Sequence, residues 1–327
     1  MQITVKGGEF KRIFKFIGTL VRKTDLSKSV AFTIYDGRLH LTFSAGYAYN
    51  GSVEIISDKS RLVETNCTVY YNDIADYISA KEEITLEFTP NGIWLCGETL
   101  EVTLRKSDSV VNRLEKDKEV SDYNSLDQGK VVSVLNTLTS TEAVGKTLKT
   151  SKPITIYNKI ARIDYSTVIF ECELDFPNCT LNTGIAKLIS SFAPSDYMYT
   201  HDTLIFTNRK RTEELWVAWS KPARQETFTG FKPIAEFTVG DELPRIKGNV
   251  CTFLVFKEGY KVHIEDISSA TIDIAHNATG NMVMSFSVAL EYLNVFFKLL
   301  KDDKIILEKG DGILCLKGRM LSIMTSY

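Results

Sequence analysis

Asn72-Asp73-Ile74-Ala75-Asp76-Tyr77-Ile78-Ser79 spaces its apolar residues as an amphipathic helix does, and three short strand-like runs follow it. The runs cover 84–88, 93–96 and 100–104, and Pro90-Asn91-Gly92 supplies the turn between the first two. One helix followed by three strands is a small unit that cannot bury its apolar face alone. A chain built on such a unit therefore needs further copies to complete a core.

The same order of elements recurs about six times, and two further copies are as clear as the first. Their helices are predicted over 183–190 and 289–294. The strands after these helices are predicted over 197–200, 204–207 and 215–219, and over 305–308, 313–316 and 321–324. Internal repeats of this kind indicate an arc of equal parts rather than a single catalytic cleft.

The remaining copies complete a three-part organisation. Helices are predicted over 9–22, 126–138 and 240–247, and Pro244 breaks the last of them. Strands are predicted over 3–5, 30–35, 39–43, 49–56, 154–157, 161–164, 168–174, 250–256, 260–265 and 270–275. The polar stretches 107–125 and 221–233 are typical of linkers. The sequence thus predicts an α+β chain of three repeated domains, 1–115, 116–225 and 226–327, each with two helices packed on antiparallel sheets.

The charged residues nearly balance, with 39 Lys and Arg against 41 Asp and Glu, which gives a formal net charge of −2. An anionic partner would therefore have to meet a local basic surface. No stretch approaches the ~20 apolar residues of a membrane-spanning helix, so we expect no membrane partner. The six cysteines form no CxxC pair and lie mostly in apolar strands, which is typical of buried, reduced thiols.

The sequence carries no recognisable pattern of catalytic residues. Gly145-Lys146-Thr147 resembles the end of a phosphate-binding loop, but Ser140 stands where that loop needs its first glycine. The four histidines are scattered and lack the spacing of metal ligands. We therefore expect no enzymatic activity, metal or cofactor, and an unrecognised hydrolase whose polar pocket forms only on folding stays a weaker alternative.

Basic residues align on the first predicted helix. Lys11, Lys15, Gly18 and Arg22 fall within about 60° of one another at 100° per residue, opposite Phe10 and its apolar neighbours. The basic residues that flank this stripe or lie on other predicted helices are Arg12, Lys23, Lys130, Lys187, Lys298 and Lys301. Each helix taken alone could simply present a solvated face. Taken together, and on one side of a repeated sheet, these residues favour a surface that meets phosphates without reading bases.

The repeat architecture, with segments such as Phe286-Ser287-Val288-Ala289-Leu290-Glu291-Tyr292-Leu293, resembles the three-domain sliding clamps of bacterial DNA replication. The resemblance covers essentially the whole chain. The chain is shorter than typical bacterial members, and its last residues, Ser322-Ile323-Met324-Thr325-Ser326-Tyr327, depart from their usual ending. These departures favour a divergent clamp, such as one encoded by a bacteriophage.

The resemblance implies a DNA-clamp fold in which one chain forms half of a ring. Two chains would join head to tail, and double-stranded DNA would pass through the hole, held by sequence-blind phosphate contacts from the basic residues named above. The partners implied are a replicative DNA polymerase, a clamp loader and a second copy of the chain. The location implied is the cytoplasm, which would be that of the host for a phage protein.

The resemblance also implies an apolar cleft for partner peptides between the second and third domains. The matching positions are Leu243, Pro244, Arg245, Ile246, Ile323 and Met324, with Tyr165 and Thr167 as further contributors. Ordinary core packing is the alternative for these apolar residues. For the protein as a whole, the alternatives are a clamp of another stoichiometry and a β-rich structural or virion protein with pseudo-repeats and no DNA role.

Overall fold

The computed structural model describes residues 1–22, 28–58, 62–111, 114, 122–147, 150–222, 228–239, 250–265, 271–301 and 303–326. Within these residues the helices are α1 (Gly7–Val21), α2 (Gln128–Ser140), α3 (Glu142–Thr147), α4 (Thr183–Phe192) and α5 (Leu290–Leu300). The strands are β1 (Gln2–Lys6), β2 (Ser29–Tyr35), β3 (Arg38–Ser44), β4 (Tyr47–Glu54), β5 (Thr65–Tyr70), β6 (Glu83–Thr89), β7 (Gly92–Cys96), β8 (Glu101–Arg105), β9 (Asn124–Ser125), β10 (Ile154–Tyr157), β11 (Ile160–Asp164), β12 (Val168–Glu173), β13 (Cys179–Leu181), β14 (Asp196–Tyr199), β15 (Thr203–Thr207), β16 (Glu213–Ala218), β17 (Lys232–Thr238), β18 (Val250–Glu265), β19 (Thr271–Ala289), β20 (Lys304–Lys309), β21 (Ile313–Lys317) and β22 (Leu321–Ser326).

These elements form two compact units. Unit 1 comprises Met1–Leu126 and Phe192–Trp219, and unit 2 comprises Asp127–Ser191 and Ser220–Tyr327. The second predicted domain, 116–225, thus contributes to both units, because β16 pairs with β4 in unit 1 while β12 pairs with β22 in unit 2. The division into three domains stays a prediction.

Unit 1 contains two sheets and helix α1. Their strand orders are β1-β6-β7-β8 and β5-β2-β3-β4-β16-β15-β14-β9, and the pairing is antiparallel throughout. Helix α1 buries Phe10, Ile13, Phe14, Ile17 and Leu20 completely. The rings of Phe10 and Phe14 stack with centroids 5.5 Å apart, and both meet Phe32 of β2. The predicted apolar face of α1 is therefore the face that holds the helix on the sheet.

Unit 2 contains one sheet with the order β13-β10-β11-β12-β22-β21-β20-β17-β18-β19, together with helices α2 to α5. Its neighbouring strands are antiparallel except for β17 and β18, which meet in parallel at Glu236 and Glu258. Helix α5 packs Phe296 edge-on to Phe170 of β12 at 6.0 Å. Phe297 lies edge-on to Tyr260 of β18 at 5.3 Å. Aromatic pairs of this geometry anchor the helix on the sheet.

The predicted helix over 72–79 is wrong, because the structure has only a 3₁₀ turn at Ala75–Tyr77. Ile78 is already extended, with φ −80° and ψ 121°, and ends the turn. Two aspartates and β-branched isoleucines are poor helix formers, and a helix this short does not repay nucleation. The apolar spacing still works, since Ile74, Ala75 and Ile78 are buried.

The strand prediction over 250–275 is also wrong in its divisions. The runs 250–256 and 260–265 form the single strand β18, and the run from 270 continues to Ala289 as β19. Gly259, at φ +92°, makes a bulge here rather than a turn. Further elements that the sequence patterns missed are α3 and the strands β5, β9, β13 and β17. Strand β9 and part of β17 lie in the predicted linkers. The predicted helix over 240–247 lies outside the described residues.

Candidate nucleic-acid and peptide interfaces

The basic stripe of α1 faces away from the core, as predicted. Arg12, Lys15 and Arg22 are exposed and Lys11 is half-buried, while the apolar face of the helix is fully covered. Helix α1 starts directly after β1 with two glycines, and Gly7 lies so close to the carbonyl of Ser79 that a Cβ there would be 2.5 Å from it. This close approach brings the segment around the 3₁₀ turn alongside the helix.

The middle of the stripe is covered rather than open. Gly18 is buried beneath Tyr71, whose ring stacks on Phe14 with centroids 5.0 Å apart. The Tyr71 hydroxyl donates a hydrogen bond to Asp73 at 3.3 Å. Burial, and secondarily the charge of Asp73, raises the pKa of Tyr71, so its hydroxyl stays a donor. Tyr71 thus fixes the chain that follows it against α1.

That chain brings carboxylates to the stripe. Lys15 forms an ion pair with Asp76 at 3.5 Å, and Arg22 is paired with Asp73. The hydrogen bond from Arg22 to Asp73 raises the pKa of the guanidinium. Two of the predicted DNA-facing cations therefore already have an anionic neighbour in the free protein.

Arg12 has a different role from its neighbours. It is paired with Glu213 of β16, and Glu213 is only 5% exposed. The same carboxylate accepts hydrogen bonds from the hydroxyl of Tyr49 and from the side-chain amide of Asn208, each at 2.6 Å. Burial raises the pKa of Tyr49 well above its usual value, so it too remains a donor. Arg12 thus closes a network that attaches α1 to the eight-stranded sheet.

Basic residues of unit 2 follow the same pattern. Lys130 of α2 lies 3.8 Å from Glu173, and Lys187 of α4 is paired with Glu142 of α3. The hydrogen bond from Lys187 lowers the pKa of Glu142. Lys298 in α5 and Lys301 just after it are exposed. Lys23 lies outside the described residues, so the structure gives no position for it.

Strand β22 forms a pocket of mixed apolar and polar lining with the hairpin of β11 and β12. Met324 of β22 sits opposite Ile169 of β12 and Cys315 of β21, and these three residues form a buried cluster. A pocket of ≈ 390 Å³ opens beside it, lined by Asp164, Ser166, Thr167, Ile169, Phe228, Ile313, Met324 and Thr325. Two of the predicted cleft residues, Thr167 and Met324, thus line one pocket.

Two other predicted cleft residues lie elsewhere. Ile323 is fully buried opposite Phe170, on the face of the sheet that α5 covers, because alternate residues of a strand face opposite sides. Tyr165 is 4% exposed, and its hydroxyl contacts Thr141 at 3.2 Å. The side chains of Ile323 and Tyr165 are therefore part of the packed core. Leu243, Pro244, Arg245 and Ile246 lie outside the described residues.

One wall of the pocket was not foreseen from the sequence. Phe228 and Phe231 pack on the cluster of Ile169, Cys315 and Met324. Arg162 lies beneath the ring of Phe228, 5.4 Å from its centroid, and is paired with Glu171 across the strands. Both aromatic residues lie within the predicted linker 221–233, so only their type signalled a role. Arg162 holds Phe228 by a cation–π contact while its own charge is balanced.

Metal binding, membrane crossing and phosphate binding can each be compared with the described part of the chain. It holds no group of three or more His, Cys, Asp or Glu residues arranged to bind a metal ion. None of its helices combines the length and the apolar character that crossing a bilayer would take. Gly145-Lys146-Thr147 lies in α3, and a Cβ at Gly145 would be 2.7 Å from the carbonyl of Thr150. That glycine serves a close packing contact instead of a phosphate loop.

No family model and no curated protein sequence matches the chain. Solved structures do. Pol III beta of Caulobacter crescentus superposes with a TM-score of 0.75 at 9% identity, and the match covers 100% of this chain and 99% of that one. The Helicobacter pylori beta clamp, solved with carprofen, gives 0.77 at 10%, with the same coverage. The DNA polymerase III subunit beta of Pseudomonas aeruginosa gives 0.73 at 10%, again with the same coverage.

The chain has the sliding-clamp fold. The match runs through the whole chain, which confirms the mixed α and β architecture expected from the repeats. At these identities few side chains are shared, so the sliding-clamp fold supplies the scaffold, and the chemistry of its surfaces has to be argued from this chain's own residues.

Proposed function

We propose that this protein is a sliding clamp, a ring that encircles duplex DNA without sequence preference and tethers a replicative DNA polymerase. Its role would be that of a processivity factor with no reaction of its own, working beside the DNA in the cytoplasm. The observation that carries the proposal is the match of the whole chain to solved beta clamps. The helix cations and the pocket beside Met324 also support it.

The proposed DNA surface is the set of outward helix faces. Lys15, Lys187 and Lys298 belong to three different helices and all are exposed. Amines on rigid helices can meet phosphates from any sequence, since phosphate contacts position a protein on DNA without reading bases. The other proposed contacts are Lys11, Arg12, Arg22, Lys23, Lys130 and Lys301. Arg12 would contribute less than the others, because the carboxylate of Glu213 already balances much of its charge.

The proposed ring closes by contact between two copies, head to tail. Within the described residues, β8 ends the four-stranded sheet of unit 1 and β19 ends the sheet of unit 2, so each has one unpaired edge. Unpaired edges pair readily with another chain. Exposed apolar side chains accompany both edges, namely Tyr77 near the β7–β8 turn and Met282 in β19. A heterologous contact of this kind makes a closed ring when its rotation closes.

The proposed partner site is the pocket beside Met324. It has an apolar base, Ile169 and Met324, and a polar rim that includes Asp164 and Thr167. Such a site suits a short peptide with one or two hydrophobic anchors. We assign it to the polymerase and to the clamp loader, which would then compete for it.

Retention on closed DNA tests the proposal. Subunits separated by dilution would be reassembled at high concentration with nicked circular plasmid and passed through a large-pore sizing column. We expect protein to travel with the circle and to be lost once a restriction enzyme linearises it, because only topology holds a ring there. Equal retention on circle and line, or none on either, would contradict a clamp, and the second outcome is what a structural or virion protein would give.

A further inference from the structure

The cations on the proposed DNA surface are matched with carboxylates from neighbouring elements. Asp73 lies just before the 3₁₀ turn and Asp76 lies within it. Glu173 is the last residue of β12, and Glu142 is the first residue of α3. They pair, in that order, with Arg22, Lys15, Lys130 and Lys187. We propose that these carboxylates compete with DNA phosphates for the same cations and thereby keep the grip on DNA weak enough for sliding. The inference rests on the proposed function.

Folding stability does not account for the most exposed of these pairs. The side chain of Lys15 is 65% exposed and that of Asp76 is 82% exposed. Exposed ion pairs contribute little to stability because water and salt screen them and the side chains lose freedom. Replacing such a carboxylate with its amide should therefore leave the fold intact while changing what the cation is free to bind.

At least two of the carboxylates are held in place by other contacts. Asp73 accepts the hydrogen bond from Tyr71, and the Tyr71 ring is fixed between Phe14 and the surface of Gly18. Glu142 is hydrogen-bonded by Thr183 as well as by Lys187. A carboxylate anchored in this way stays beside its cation when DNA approaches. It behaves as a fixed competitor rather than a side chain that swings away.

The electrostatic consequence is large for the α1 stripe. Its cations Lys11, Lys15 and Arg22 carry a charge of +3, and Asp73 and Asp76 reduce the local net charge to +1. Affinity for DNA depends on the number of phosphates that cations neutralise, since each one releases condensed counterions. A cation already balanced by a carboxylate releases fewer counterions when it meets DNA. The stripe should thus bind less tightly than its count of basic residues suggests.

The test compares a double and a single amide variant with a control that, like the single variant, removes one negative charge. The double variant Asp73→Asn/Asp76→Asn frees two cations of α1, and Glu142→Gln frees Lys187. The control is Asp175→Asn, which breaks the exposed pair of Lys159 and Asp175, 3.1 Å apart, neither of which lies on a helix. The probe is a fluorescent linear duplex of arbitrary sequence, with binding followed by anisotropy over a range of salt concentrations and folding checked by thermal unfolding.

We expect Asp73→Asn/Asp76→Asn to bind the duplex roughly 2- to 25-fold more tightly, on the basis of about 1.5- to 5-fold for each exposed pair. The slope of log K against log[salt] should steepen by about 0.9 for each phosphate gained, and Asp175→Asn should change neither quantity. Suppose that the wild type binds DNA and that Asp73→Asn/Asp76→Asn and Glu142→Gln are folded. If these variants then bind with unchanged or lower affinity, the inference is overturned and the proposed function is not. Failure of every form to bind, wild type included, would overturn the proposed DNA role and the inference with it.

Discussion

Tyr71 lies directly over Gly18, so that a Cβ on this glycine would be 2.2 Å from the tyrosine hydroxyl oxygen. The contact seats the 3₁₀ segment on the first helix, because Tyr71 also stacks on Phe14 and binds Asp73. Tyr71 thus packs the 3₁₀ segment on the first helix and also positions Asp73, one of the carboxylates at the proposed DNA surface.

Gly18→Ala should therefore destabilise the protein. Alanine in a helix interior normally gains up to ~1 kcal/mol over glycine, but overpacking here should reverse the sign and cost about 1–3 kcal/mol. Urea unfolding measures the difference. Gly129→Ala in α2 is the matched control, because its Cβ would meet only Asp127 at 3.6 Å. A stabilising effect of Gly18→Ala would show that Tyr71 does not occupy this position.

Replacing Lys11, Lys15 and Arg22 with Glu should weaken duplex binding and leave the fold intact, because these side chains point away from the core. Each lost phosphate contact should lower the salt slope by about 1, and the loss should be the same for unrelated DNA sequences. Anisotropy with two unrelated duplexes makes the measurement. A loss confined to one sequence would argue for base recognition instead.

Arg12→Ala should behave differently from those three. It leaves the carboxylate of Glu213 buried without its cation, so the free energy of unfolding should fall by about 1–3 kcal/mol. Arg12 is itself half exposed, which keeps the expected loss below that of a fully buried pair. Thermal unfolding beside Lys11→Ala gives the comparison. Equal stability of the two variants would contradict the structural role of Arg12.

Thr167→Glu should reduce polymerase binding by roughly tenfold or more, because it places a charge at the rim of the pocket without disturbing the sheet. Deleting 324–327 is a poorer test, since Met324 is buried between Ile169 and Cys315 and its loss would remove core packing. A pull-down with the replicative polymerase makes the measurement, and Val63→Glu, at an exposed position in unit 1, is the control. Unchanged binding by Thr167→Glu would place the partner site elsewhere.

Four thiols should be inert in the native protein. Burial raises the pKa of Cys172, Cys179, Cys251 and Cys315 to about 12, so at pH 8 each stays protonated and is a poor nucleophile. Iodoacetamide followed by mass spectrometry should label these four only after unfolding. Their contribution to stability is present below about pH 9 and is lost as the pH rises through 12, because the unfolded thiols ionise first. Rapid native labelling of Cys315 would contradict its burial.

Local sequence patterns predicted much of this fold. The apolar spacing of α1 predicted 9–22, and the helix covers Gly7–Val21. The strands predicted over 30–35 and 39–43 form the hairpin of β2 and β3, and its turn residues Asp36 and Gly37 have the positive φ that such a turn requires. The long hairpin of β18 and β19 was missed because Gly259 signals a turn and a bulge equally well.

The partners of the basic residues were beyond the reach of sequence patterns. Arg22 and Asp73 are 51 residues apart, and Arg12 and Glu213 are 201 residues apart. Helical spacing tells which face a lysine occupies, but only the fold decides which carboxylate comes to meet it. The same limit applies to Phe228, which lies in the predicted linker and yet packs on Ile169 and Met324.

Electron microscopy of the assembled particle shows directly whether the protein forms a ring. We expect a closed ring of two copies, with a mass twice the 36.9 kDa of one chain and a central hole wide enough for duplex DNA. A particle without a central hole, at any concentration at which the protein is assembled, would contradict it.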